Sequence, residues 1–167
     1  MKKFWIILLC AMMVVGLTGC GSSSKEPEKD WREDYTVYEL DHMKVYVPKE
    51  IVLGDFEAEG WDFAKSGEEI AVLGALDTYD ELSQFGVTFD TLKDYAELVT
   101  QNNNGELVDK GTYYEYTYHY DQTSFYYCVG IYKTSAGFWN LNFACQEANY
   151  TKYEASMKDW LSKVEFD

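Results

Sequence analysis

Polar and apolar positions alternate most regularly between residues 113 and 145. Tyr114, Tyr116, Tyr118 and Tyr120 share one parity, and Tyr113, Glu115, Thr117 and His119 share the other. Successive strand residues point to opposite faces, so this run predicts a strand with a tyrosine stripe on one side. Residues 125–133 place Phe125, Tyr127, Val129 and Ile131 on one face and Tyr126, Cys128, Gly130 and Tyr132 on the other. Residues 138–145 set Trp139, Leu141, Phe143 and Cys145 against Phe138, Asn140, Asn142 and Ala144. Aromatic and β-branched residues suit a pleated, half-buried surface. Three such runs with short polar breaks predict a three-stranded antiparallel meander.

The break Ser135-Ala136-Gly137 predicts a three-residue hairpin loop with its glycine in the left-handed region. That loop pairs Thr134 with Phe138, Ile131 with Leu141 and Val129 with Phe143, which brings the two most apolar rows to one face. A two-residue loop would set Cys128 opposite Cys145 and split those rows, an arrangement that register physics disfavours. The three-residue register places Cys128 and Cys145 on opposite faces, so the expectation is two buried thiols and no disulfide.

Earlier in the chain, Tyr35–Leu40 and residues 43–47 predict two short strands about an Asp41-His42 turn, with Pro48 ending the second. Residues 51–56 predict an irregular crossing segment. Residues 61–65 and 69–77 predict two strands joined through Ser66-Gly67-Glu68. The second contains Ile70-Ala71-Val72-Leu73, apolar at both parities, which predicts cover on both faces. Residues 78–85 are polar and acidic, with at most one helical turn. Residues 88–102 predict the first clear helix, with Thr91 and Asp94 as a capping pair and Leu92, Tyr95, Ala96 and Val99 as its apolar stripe. Asn102-Asn103-Asn104-Gly105 stops it. Residues 106–110 predict a short strand. A closing helix over about 149–163 carries Tyr150, Tyr153, Met157, Trp160 and Leu161 on one face, with Thr151 and Glu154 as its expected capping box. Together these elements predict an α+β fold, an antiparallel sheet with helices on both faces.

The first residues add a different signal. Lys2 and Lys3 precede an apolar run over 4–15, and Leu17-Thr18-Gly19-Cys20 follows. The run has signal-peptide length and is too short to span a membrane comfortably. The four residues before and including Cys20 resemble a bacterial lipobox, which implies lipidation, palmitate among the chains, on Cys20. Two acyl chains at about 0.8 kcal/mol per buried methylene hold a protein stably on a membrane. The expected organisation is a signal peptide over 1–19, a lipidated Cys20 with a polar tether over 20–30, and one globular domain over 31–167.

Charge narrows the partners. The formal net charge is −15, and loss of Lys2 and Lys3 with a signal peptide would bring it to about −17. Nucleic acid needs a basic footprint that this chain lacks, and anionic lipid would likewise find no basic patch. Of the four cysteines, Cys10 would leave with the signal peptide and Cys20 would carry lipid. Cys128 and Cys145, without histidines near them in sequence, predict no zinc site.

Candidate chemistry is sparse. His42 and His119 lack partners at metal-ligand spacing, and no HExxH, GxSxG or phosphate-binding glycine loop is present. Asp77, Asp80 and Glu81 could converge as paired carboxylates or as a hard-cation site, although a solvated acidic loop is the simpler explanation of them. The tyrosine stripe could stack sugars or grip a partner, or lie beneath a helix. Asn149-Tyr150-Thr151 matches a glycosylation sequon, which has little meaning behind a bacterial lipobox.

The order of elements is a short hairpin ending in Val47-Pro48, two strands, a helix, a meander and a closing helix. With Phe138-Trp139, Phe143, Cys145, Tyr150, Tyr153 and Trp160 in that closing run, it resembles the PsbP-like α/β/α sandwich of several small bacterial lipoproteins. The resemblance implies a non-enzymatic accessory or binding module, and the motif reading adds no cofactor or metal. The expected location is the extracytoplasmic face of a bacterial cell membrane. The expected partners are the membrane, through the anchor, and an envelope protein. Two alternatives stay open: a glycan hydrolase using paired carboxylates across a cleft, and an immunity or inhibitor protein that blocks a basic partner.

Overall fold

The computed structural model describes residues 30–166. The expected signal peptide over 1–19, Cys20 and all of the expected tether but Asp30 lie outside the described residues. In chain order the elements are β1 (Tyr35–Leu40), β2 (Met43–Pro48), β3 (Gly54–Asp55), β4 (Phe63–Ser66), β5 (Ile70–Thr78), α1 (Tyr79–Gln84), α2 (Leu92–Asn103), β6 (Val108–Asp109), β7 (Tyr114–Tyr120), β8 (Phe125–Lys133), β9 (Gly137–Gln146), α3 (Tyr150–Leu161) and β10 (Glu165–Phe166). Seven strands form an antiparallel sheet in the order β3-β4-β5-β9-β8-β7-β6, and β1, β2 and β10 form a second, smaller sheet.

Alternation gives the large sheet two apolar faces; the first is covered, and the second is covered over part of its width. The first face presents Val72, Cys128, Tyr132, Leu141 and Phe143. It packs against Met157, Trp160 and Leu161 of α3 and against Met43, Val45 and Val47 of β2. The second face presents Tyr116, Val129, Ile131 and Phe138, and α2 covers it with Tyr95 and Ala96. The architecture is therefore α+β, an antiparallel sheet with helices on both faces, as the patterning predicts.

The β8–β9 register differs from the expected one by one residue. Lys133 pairs with Phe138, Ile131 with Asn140 and Val129 with Asn142. Leu141 and Phe143 consequently share the first face with Cys128, while Val129 and Ile131 lie on the second. Splitting the apolar rows carries no penalty here because both faces are buried. Gly137 is not in the left-handed region. It pairs with Thr78 of β5, and a Cβ there would stand 2.2 Å from the Asp77 carbonyl oxygen. The glycine serves close backbone approach, and the Thr134 hydroxyl caps the loop by accepting from the backbone N–H of Ala136 and Gly137 at 3.3 Å each.

The corrected register also moves the cysteines. Cys128 opposes Phe143 and Cys145 opposes Tyr126, so both thiols lie on the first face, not on opposite ones. Both are buried and free.

The helix ends follow local chemistry. Thr91 accepts from the Asp94 N–H at 3.1 Å, Asp94 accepts from the Thr91 N–H at 3.2 Å, and Asn104 turns left-handed at φ 53°. The helix expected from residue 88 thus begins at Leu92. The closing helix departs from expectation. A 3₁₀ turn, Glu147–Asn149, leads into it, Asn149 is its N-cap residue, and no side-chain cap forms. Glu154 instead accepts from Lys158 Nζ at 2.7 Å, one turn on.

Candidate functional site

The predicted candidates do not come together. Asp77 accepts from the Tyr95 hydroxyl, inside the contact between α2 and the sheet. Glu81 forms a capping box with Thr78 at the start of α1. That bonding, from the Thr78 hydroxyl first and its backbone N–H second, holds the Glu81 carboxyl below the usual carboxylate range. Asp80 is exposed on the same turn. The acidic trio is thus two structural acceptors and one solvated side chain. His42 occupies the exposed turn between β1 and β2 at φ 58°. His119 stacks on Tyr126 at 4.4 Å and faces Asp121 at 2.7 Å. Asn149 is the N-cap residue of α3. Among the described residues no group of three or more histidine, cysteine, aspartate or glutamate side chains could hold a metal ion.

The tyrosine stripe is graded along its length. Tyr116 is buried under α2, accepts from Asn103 Nδ2 at 2.9 Å, and is pushed up to about 12 by burial. Tyr118 is half-buried and stacks on Tyr127 at 4.7 Å, the rings within 6° of parallel. Tyr120 is 44% exposed. The helix therefore covers one end of the second face and leaves the other end open.

At that open end lies a groove of about 420 Å³. Its floor is Leu73 of β5, Ala144 of β9 and Tyr127 of β8, with Phe125 at one end. Phe56 and Trp61, from the segment between β3 and β4, overhang it, and Ser66, Thr123 and Gln146 supply a polar rim. Strand β5, expected to be covered on both faces, thus turns Ala71 and Leu73 toward this groove on its second face. A concave apolar floor with a few polar groups at the edge is the ordinary form of a ligand site.

The same segment borders a larger, shallower cleft of about 930 Å³ on its other side. Val37, Tyr38 and Glu39 of β1 form one wall, and Trp61, Phe63 and Lys65 the other. Glu39, Asp55, Glu57, Glu59 and Asp62 surround it, against the one cation Lys65. Lys65 is ion-paired to Asp55 and lies over the Tyr38 ring at 5.5 Å. Sequence reasoning passed over both surfaces because residues 56–62 form no regular element. The available signal was the interleaving of acids with Phe56 and Trp61 in that run.

No family model matches this chain, and no curated protein does. Among solved structures, the solution structure of cyanobacterial PsbP (CyanoP) from Synechocystis sp. PCC 6803 matches with a TM-score of 0.51. The match covers 90% of this chain and 99% of that one. The domain has a PsbP-like fold. At 15% identity the likeness carries the fold alone. Within this PsbP-like frame, the groove lies on the half of the sheet face that α2 leaves open.

Proposed function

We infer that the chain is a lipid-anchored extracytoplasmic lipoprotein whose PsbP-like domain is a non-enzymatic binding module at the cell envelope. The observation that carries the binding reading is the apolar groove over Leu73, Ala144 and Tyr127, overhung by Phe56 and Trp61. An open apolar floor of this kind gains stability when a ligand excludes water from it, by about 25 cal/mol per Å² removed. The lipobox-like Leu17-Thr18-Gly19-Cys20 supports the anchor.

The state of the candidate carboxylates and of those along the cleft supports the non-enzymatic part. A glycosidase acid needs burial to keep its proton near neutral pH. Asp77 and Glu81 are engaged in hydrogen bonds that maintain the fold. Glu39, Glu57 and Glu59, along the acidic cleft, are exposed to solvent.

The test places a photo-crosslinking residue at Phe125 in the membrane-bound full chain, with a second at Lys93 on α2 as control. The expected result is an adduct with an identified envelope component from position 125 only, lost on Trp61→Ala. Equal adducts from both positions, or none from 125, would contradict the reading.

A further inference from the structure

The acidic cleft has a second property, set by backbone. In the small sheet β1 hydrogen-bonds to β2 alone, so its other edge has no strand beside it among the described residues. Three consecutive β1 residues of both parities, Val37, Tyr38 and Glu39, line the cleft. Side chains of both parities can border one space only along the strand's edge, so it is the open edge of β1 that faces it. Natural edges are protected by proline, lysine, bulges or shortness. Strand β1 has six residues, Tyr-Thr-Val-Tyr-Glu-Leu, with neither proline nor lysine, and Val37 is 45% exposed.

We propose that this edge and the aromatic floor beside it dock an extended, lysine- or arginine-rich segment of a partner protein, which adds to β1 as a fourth strand of the small sheet. The proposal rests on the binding-module reading and assigns it a second surface and a partner chemistry. A strand rises about 3.3 Å per residue, so a segment matching β1 runs about 20 Å along the cleft. Backbone hydrogen bonds supply affinity in such additions, and alternate side chains supply specificity.

Charge selects the occupant. Five carboxylates surround the cleft, and its one lysine is neutralised by Asp55. Among the described residues Glu57 and Glu59 have no ion-pair partner, so they are available to incoming cations. The rings of Tyr38 and Phe63 already hold a cation, with Lys65 Nζ 5.5 and 6.0 Å from their centroids. Trp61 and Phe56 offer further faces of the same kind. A second copy of this chain is disfavoured as occupant, because edge-to-edge pairing of β1 would juxtapose the two acidic clefts of a −15 protein.

The experiment titrates the full chain in detergent, at physiological salt, with a fluorescein-labelled octapeptide of alternating lysine and valine. Its glutamate–valine counterpart is the charge control. Two further versions carry backbone N-methyl groups, one at every lysine and one at every valine. In an added strand only alternate N–H groups face the neighbour, so one methylated version should lose at least tenfold in affinity and the other little. The double variant Glu57→Lys/Glu59→Lys, at exposed loop positions, should weaken the parent peptide at least tenfold. Equal binding by both methylated peptides, unchanged binding to the double variant, or binding of the glutamate peptide would each overturn the proposal. Failure of the lysine peptide with the position-125 crosslink intact overturns this inference alone. Failure of both overturns the module reading with it.

Discussion

Gly137 shows how much one residue depends on a partner far away in sequence. A Cβ there would meet the Asp77 carbonyl oxygen at 2.2 Å and Thr78 Cα at 2.8 Å, both backbone atoms that cannot swing aside. Gly137→Ala must therefore push β9 away from β5. The expected cost is about 3 kcal/mol, the upper part of the range for overpacking a core. Urea denaturation checks it, and a loss below about 0.5 kcal/mol would contradict the close approach. Local pattern suggests a left-handed turn glycine, because the strand that crowds it lies some sixty positions earlier. The cysteines carry the same lesson. Cys128 and Cys145 are diagonal neighbours on one face, and diagonal positions lie about 7–8 Å apart, beyond comfortable disulfide reach. Burial pushes their thiols up to about 12 and about 11. Both should stay unlabelled by alkylating reagent in the native protein and both should label after denaturation without reductant. Protection that only a reductant relieves would mean a bond.

At the scale of elements, alternation was enough to place the meander, the β1–β2 hairpin and strand β5, though not the open groove on the second face of β5. Those signals are local and repeat every second residue. The hairpin loop and the start of α3 were not legible in the same way. A register that buries apolar rows on one face looks better than one that splits them, unless both faces are known to be covered. Thr151 and Glu154 match a capping box in sequence, but the 3₁₀ turn at Glu147–Asn149 starts the helix earlier. The groove stayed hidden because its overhang comes from irregular backbone. The tyrosine stripe tests the element-level account. Tyr116 lies beneath α2 at 3% exposure and Tyr120 stands clear of it at 44%. Tyr116→Ala should destabilise the domain by about 3–5 kcal/mol, as for a buried aromatic, and Tyr120→Ala by under about 0.5 kcal/mol. Equal losses in thermal or chemical unfolding would mean that α2 does not end where described.

The whole molecule carries its tyrosines in two populations, and pH separates them. Burial raises Tyr95, Tyr116, Tyr118 and Tyr132 above the ordinary phenol value. Their contribution to stability is complete below about pH 10, where the unfolded chain also keeps its phenols protonated. It is lost as pH rises from there toward the native values. Phenolate absorbance should therefore show a cooperative step above about pH 10 as the domain unfolds and releases these buried phenols. A smooth curve for all fifteen would contradict the burial. In acid the direction reverses. Lys152 lowers the Glu69 carboxyl, and Tyr46, followed by Arg32, lowers that of Glu165. The stability these pairs add is present above about pH 4.3 and falls away as pH drops through the lowered values, by little, since both are solvent-accessible.

Anchoring decides whether this domain works at a membrane surface at all. The most direct measurement is metabolic labelling with an alkynyl fatty acid, read on the full chain and on Cys20→Ala, with protease accessibility in intact spheroplasts. The full chain should take up label, the variant none, and the domain should be protease-accessible and held at the membrane. Label that persists in Cys20→Ala, or a full chain that takes up none and stays in the soluble fraction, would contradict it.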